Sequence, residues 1–149
     1  MIIRHNMIKY LITITTLLFF SIAVKGQSIE GNWKTVDDST GKAKSIVEIY
    51  SQNNKLYGRI IEVFKQPNEP LKTFCTACND DRKGEKIVGL EIITALQKED
   101  QNWINDEAIL DPENGKLYDC KIWLEDDGTL AVRGYIGFLY RTQYWIRVQ

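Results

Sequence analysis

The chain has 149 residues, with 19 Lys and Arg against 20 Asp and Glu, for a formal net charge of −1. This near-neutral balance supplies no electrostatic reason to bind nucleic acid or an anionic membrane surface. The single histidine, His5, stands near the start, so the rest of the chain has no imidazole for a Ser-His or Cys-His pair or for a zinc site.

Arg4 and Lys9 lead into Tyr10 to Val24, an apolar run without charge, followed by small residues such as Gly26. This reads as a secretory signal peptide over residues 1–26, cleaved to leave Gln27. The run is short against the roughly 20 residues that span a bilayer. No cysteine follows it to take a lipid. The expectation is a periplasmic or secreted protein with no stable membrane insertion after cleavage. Residues 27–149 then carry 16 basic and 20 acidic side chains, a net charge of −4, and suffice for one domain with its own core.

Beyond Gln27 the chain alternates strands with turn signals. Ser28 to Val36, Lys44 to Ser51 and Lys55 to Val63 are three predicted strands, joined by a polar turn around Gly41 and a tight turn at Gln52-Asn-Asn54. On the third, Leu56, Gly58 and Ile60 share one face while Tyr57, Arg59 and Ile61 share the other. Periodicity lapses from Phe64 to Lys86, a stretch holding Pro67, Pro70, Cys75 and Cys78. A connection this long is either functional or pinned. A strand is expected over Ile87 to Leu96, with a single helical turn at its end as the alternative, and Trp103 and then Ala108-Ile-Leu110 lead into the next turn.

Asp111-Pro-Glu-Asn-Gly-Lys116 is the clearest hairpin turn. Leu117 to Leu124 and Leu130 to Tyr135 follow, and the last strand is Arg141 to Val148. Its alternation sets Thr142, Tyr144, Ile146 and Val148, read as the core face, against Arg141, Gln143, Trp145 and Arg147. About eight strands and no amphipathic helix predict an all-β, up-and-down antiparallel barrel in which the first strand pairs with the last. A two-sheet sandwich is the alternative, because strand spacing does not reveal closure.

Gly31-x-Trp33 on the first strand, with arginine on the last, resembles the signature of the calycins, the lipocalins and fatty-acid-binding proteins. That resemblance implies a tryptophan plugging one end of the barrel under an arginine, either Arg141 or Arg147. A closer resemblance covers nearly all of residues 27–149. Its motifs are Leu56-Tyr-Gly-Arg59-Ile60, Cys75-x-x-Cys78, Ile109-Leu-Asp-Pro-Glu-Asn-Gly115, Tyr118-x-Cys120, Val132-Arg-Gly134-Tyr135-Ile-Gly137 and Arg141-Thr-Gln143-x-Trp145-x-Arg147. Together they resemble the exported bacterial domain-of-unknown-function family numbered 2147, placed with the calycins. The resemblance implies a lipocalin-like fold and export, and brings no activity with it. One departure is the absence of the family's glycine before Ile109, where this chain has Asn105-Asp-Glu107.

Three cysteines, Cys75, Cys78 and Cys120, admit several chemistries in an oxidising compartment. A redox Cys-x-x-Cys needs a helix N-terminus or a positive field, and neither is foreshadowed by Phe74 or Asn79-Asp-Asp81. The expectation is a staple from Cys75 or Cys78 to Cys120, tying the long connection to the barrel wall and contributing roughly 4 kcal/mol by loop entropy. Tyr57, Arg59, Tyr118, Arg133 and Tyr135 are the candidate pocket, because inward guanidinium and phenol groups suit a small anionic or polar ligand. The acidic clusters, including Glu125-Asp-Asp127, lack the spacing of a calcium loop and read as solvated turns. No metal site, cofactor motif or catalytic residue stands out.

The function expected is non-catalytic binding of a small molecule. The alternative is a filled barrel that serves as an interaction module for another envelope protein, since eight strands leave little interior room. Catalysis would need a carboxylate or thiol of perturbed pKa inside the barrel.

Overall fold

A computed structural model describes residues 27–37, 40–66 and 70–148; the leader expected over 1–26 lies outside the described residues. Eight strands form in chain order: β1 (Gly31–Val36), β2 (Ala43–Gln52), β3 (Lys55–Val63), β4 (Glu91–Glu99), β5 (Asn102–Asp111), β6 (Lys116–Leu124), β7 (Leu130–Ile136) and β8 (Leu139–Arg147). Each pairs antiparallel with the next, and β1 pairs with β8 through Trp33 opposite Arg147, which closes the barrel. The sheet thus has no free edge of the kind that recruits other chains.

Local chemistry sets the register. Asn53 and Asn54 both adopt left-handed backbone (φ 51° and 60°), the requirement of a two-residue hairpin turn, and they hold Gln52 opposite Lys55. Two-residue periodicity then sends Leu56, Gly58 and Ile60 of β3 inward, with Val47 and Ile49 of β2, Ile122 of β6 and Leu130 and Val132 of β7. Ala95 and Glu107 take left-handed backbone (φ 53° and 47°), and the ladder registers shift at both places. A non-glycine residue in this conformation costs about 1 kcal/mol. The expected strand Ile87 to Leu96 begins later, at Glu91, because Ile87 to Leu90 still belong to the connection.

One expectation is reversed. On β8, Trp145 is buried, whereas Tyr144 and Ile146 are exposed, so the polar and indole face points inward. The cause lies at the closed end. Arg147 Cζ stacks 4.1 Å from the Trp33 ring centroid, and its guanidinium donates to the carbonyls of Glu30 (3.1 Å) and Ser28. Trp33 Nε1 donates to the Ile29 carbonyl at 2.9 Å. Gly31 makes the room: at φ 129°, a side-chain carbon on it would lie 2.9 Å from Arg147 Nη1. Arg147, and not Arg141, is therefore the partner of Trp33. With Arg147 facing in, period two turns Trp145, Gln143 and Arg141 inward as well.

Candidate functional site

At the end of the barrel away from Trp33, the side chains do not meet. A cavity of about 600 Å³ remains. Ile60, Ile92, Leu110, Val132 and Trp145 give it an apolar wall, and Gly134 enlarges it. A side-chain carbon on Gly134 would meet nothing nearer than Tyr118 Cβ at 3.7 Å. The polar groups of the wall are already engaged with one another. Thr35 Oγ1 lies 2.8 Å from Ser45 Oγ, and Trp145 Nε1 donates to Gln143 Oε1 at 3.3 Å.

Charge gathers at the rim. Asp37, Lys44, Lys72, Asp111, Glu113 and Arg141 all line the entrance. Lys44 of β2 forms an ion pair with Glu113 in the β5–β6 hairpin. These segments are not neighbours in the barrel, so the pair spans the mouth. Asn114 Nδ2 donates to Asp111 Oδ2 (2.9 Å) and to the Tyr118 hydroxyl (3.0 Å), fixing the tyrosine against the hairpin.

The β3–β4 connection supplies the rest of the mouth, with Phe64, Gln66, Leu71, Lys72 and Ile87 along the entrance. From Thr73 to Leu90 it forms a hydrogen-bonded lobe. Phe74 bridges to Lys86, Cys75 N donates to the Glu85 carbonyl (2.8 Å), and Ile87 N donates to Thr73 (2.9 Å). Cys75 and Cys78 are bonded to each other within this lobe, and Cys120 is free and buried in β6. This corrects the expected staple to Cys120. The turn brings the two Cα atoms within 5.5 Å, a normal disulfide distance, while Cys120 is enclosed in the wall. So short a loop gains only roughly 2 kcal/mol of chain entropy, in place of the roughly 4 expected. The lobe is held to the barrel by packing against the β5–β6 hairpin, where the Ala77 carbonyl fills the place of a Gly115 side chain.

Of the five residues predicted as a pocket, Tyr118 lines the cavity; Tyr57, Arg59, Arg133 and Tyr135 do not. Those four lie on the outer face of the barrel. Tyr57 stacks on Tyr50 with centroids 5.7 Å apart, and Arg59 pairs with Glu48 at 2.6 Å while lying 5.2 Å from the Tyr50 centroid. Arg133 donates to Thr142 Oγ1 at 2.7 Å and sits 4.9 Å from Trp123 and 4.3 Å from Tyr140. Tyr135 packs at 6.0 Å from Tyr140. Cross-strand pairs of cations and aromatics suit the outside of a barrel, where the cation keeps its water while the ring loses some of its own.

Arg141 and Trp145, expected as signature residues, line the cavity, and Lys44, Lys72 and Gln143 join them without having been foreseen. The signal for Gln143 was present in the parity of β8. Cys120 is no nucleophile in waiting: burial pushes its thiol up to about 12, which keeps it protonated. Among the described residues, no group of three His, Cys, Asp or Glu side chains is placed to hold a metal ion.

Comparison with known proteins accords with this architecture. A solved structure titled "Protein HP1028 from the human pathogen Helicobacter pylori belongs to the lipocalin family" superposes with a TM-score of 0.68, at 18% identity, covering 83% of this chain and 85% of that one. At that identity the likeness shows the fold, which is lipocalin-like. No curated protein matches the chain in sequence. A family described as "Uncharacterized protein conserved in bacteria (DUF2147)" matches residues 31–147, almost the whole of the barrel, and the chain belongs to that family.

Proposed function

We propose that this barrel binds one small amphipathic molecule, without transforming it, in an exported form of the protein. The cavity carries the reading: about 600 Å³ with an apolar wall and a charged rim. That volume lies within the roughly 300–1,000 Å³ typical of small-molecule sites. An apolar body would rest against Ile60, Val132 and Trp145, and a polar end would lie among Lys44, Lys72 and Arg141. Binding without reaction is supported by the state of the reactive groups. Cys120 is held protonated, Glu113 is paired with Lys44, and Asp111 accepts from Asn114. Export is supported by the disulfide in the lobe and by the leader read in residues 1–26.

Gly134→Leu tests the reading. Its backbone is not left-handed, and a first side-chain carbon there makes only ordinary contacts with Tyr118 and Ile109 at the cavity wall, so the variant is expected to keep its fold and narrow the site. Titration with N-phenyl-1-naphthylamine, whose fluorescence rises in apolar surroundings, is expected to saturate at one equivalent for the natural chain. With Gly134→Leu the affinity is expected to fall at least tenfold, at unchanged circular dichroism. Saturation that is identical in both proteins would place the probe elsewhere and overturn the reading.

A further inference from the structure

One sector of the cavity's lip is more apolar than a folded surface requires. The β7–β8 turn exposes Ile136 (63%), Phe138 (92%), Leu139 (62%) and Tyr140 (61%), and Leu71 of the lobe is 51% exposed. All of these except Phe138 also line the cavity, so the patch continues from the turn's tip into the interior. The turn itself does not need them. It asks for left-handed backbone, which Gly137 provides at φ 57°, and a polar residue at position 138 would serve the turn equally well. Contiguous exposed apolar surface of this kind marks a place of contact.

Charge indicates what is contacted. Each apolar segment is followed at once by a cation, Lys72 after Leu71 and Arg141 after Tyr140. A third, Arg133, lies 4.3 Å from the Tyr140 ring. The carboxylates of the mouth belong to other segments, Asp37 after β1 and Asp111 and Glu113 on the β5–β6 hairpin. Glu113 is paired with Lys44. An apolar tip, a tyrosine at its base and cations behind match the successive layers of a lipid surface: acyl chains, interface and phosphates.

We propose that this lip docks on a phospholipid surface, with Phe138 inserted among the acyl chains and Lys72 and Arg141 at the phosphates, so that the cavity opens toward lipid. The net charge gives no attraction at a distance, so insertion of the tip carries the contact and salt weakens it only in part. Docking uses the lip alone and does not require the cavity to be filled.

The test is co-flotation of the chain from Gln27 onward with vesicles of phosphatidylethanolamine and phosphatidylglycerol. The natural chain is expected to float with them, and Phe138→Ser to lose at least tenfold in partition. In a Phe138→Trp variant, fluorescence is expected to shift to shorter wavelength when vesicles are added. No flotation of the natural chain, equal flotation of Phe138→Ser, or an unshifted tryptophan would overturn the proposal, as would a lip that engages only a protein. N-phenyl-1-naphthylamine binding by Phe138→Ser in vesicle-free buffer keeps the two readings apart, since loss of docking leaves the cavity intact.

Discussion

Arg147 and Trp33 show how one residue pair can fix the inside of a barrel. Their stack needs Gly31 for clearance and sets which face of β8 is internal. The signature was legible in the sequence, but the inward turn of Gln143 and Arg141 depends on the stacking of Arg147 on Trp33. Alternation supplies two faces per strand and does not say which one is interior. On β3 and β7 the outer faces carry Tyr57, Arg59, Arg133 and Tyr135, whose chemistry resembles a binding site. Those residues instead pair across neighbouring strands on the outside.

Cys120 belongs to the same scale. Because it is buried and unbonded, a thiol reagent added without reductant is expected to find no reactive thiol in the native protein and one after unfolding. Its pKa is raised from an ordinary 9.0 to about 12 in the fold. The stability it contributes is therefore complete below pH 9 and is lost as pH rises toward 12, by on the order of 1.4 kcal/mol per pH unit. Urea unfolding at pH 8 and pH 10 should show a larger loss for the natural chain than for Cys120→Ala. Equal losses in the two proteins would contradict the burial of this thiol.

Among the elements, the β5–β6 hairpin and the β3–β4 lobe act as one unit. The hairpin was legible from Asp111-Pro-Glu-Asn-Gly-Lys116. The lobe was not, because it lacks periodicity and its order comes from contacts distant in sequence. Gly115 joins the two. It sits at φ 71°, and a side-chain carbon there would lie 1.8 Å from the Ala77 carbonyl oxygen. Gly41, at φ 66°, has nothing within 4 Å of that position. Gly41→Ala thus incurs the left-handed backbone penalty alone, about 1 kcal/mol, whereas Gly115→Ala must also displace the lobe and should cost at least ~2 kcal/mol. Urea unfolding compares them directly, and equal costs would mean that the lobe is not held by this contact.

For the whole molecule, the barrel closes at one end around Trp33 and opens at the other into a cavity with a charged rim. The strands were legible from tight turns and period-two alternation, whereas closure, which strand spacing does not reveal, comes from the pairing of β1 with β8. The cavity was not legible, since it depends on how far side chains reach across the interior, and Gly134 on β7 gave no sign in sequence that it lines that cavity. The direct measurement of the central claim is a two-dimensional ¹H–¹⁵N spectrum recorded during titration with N-phenyl-1-naphthylamine. Trp145 and Trp123 carry indole protons on opposite sides of the wall, the first in the cavity and the second beneath Arg133 on the outer face. The account predicts that the Trp145 indole and Gly134 amide signals move while the Trp123 indole stays. Movement of the Trp123 indole and the Arg133 signals, with Trp145 unchanged, would place binding on the outer face and contradict it.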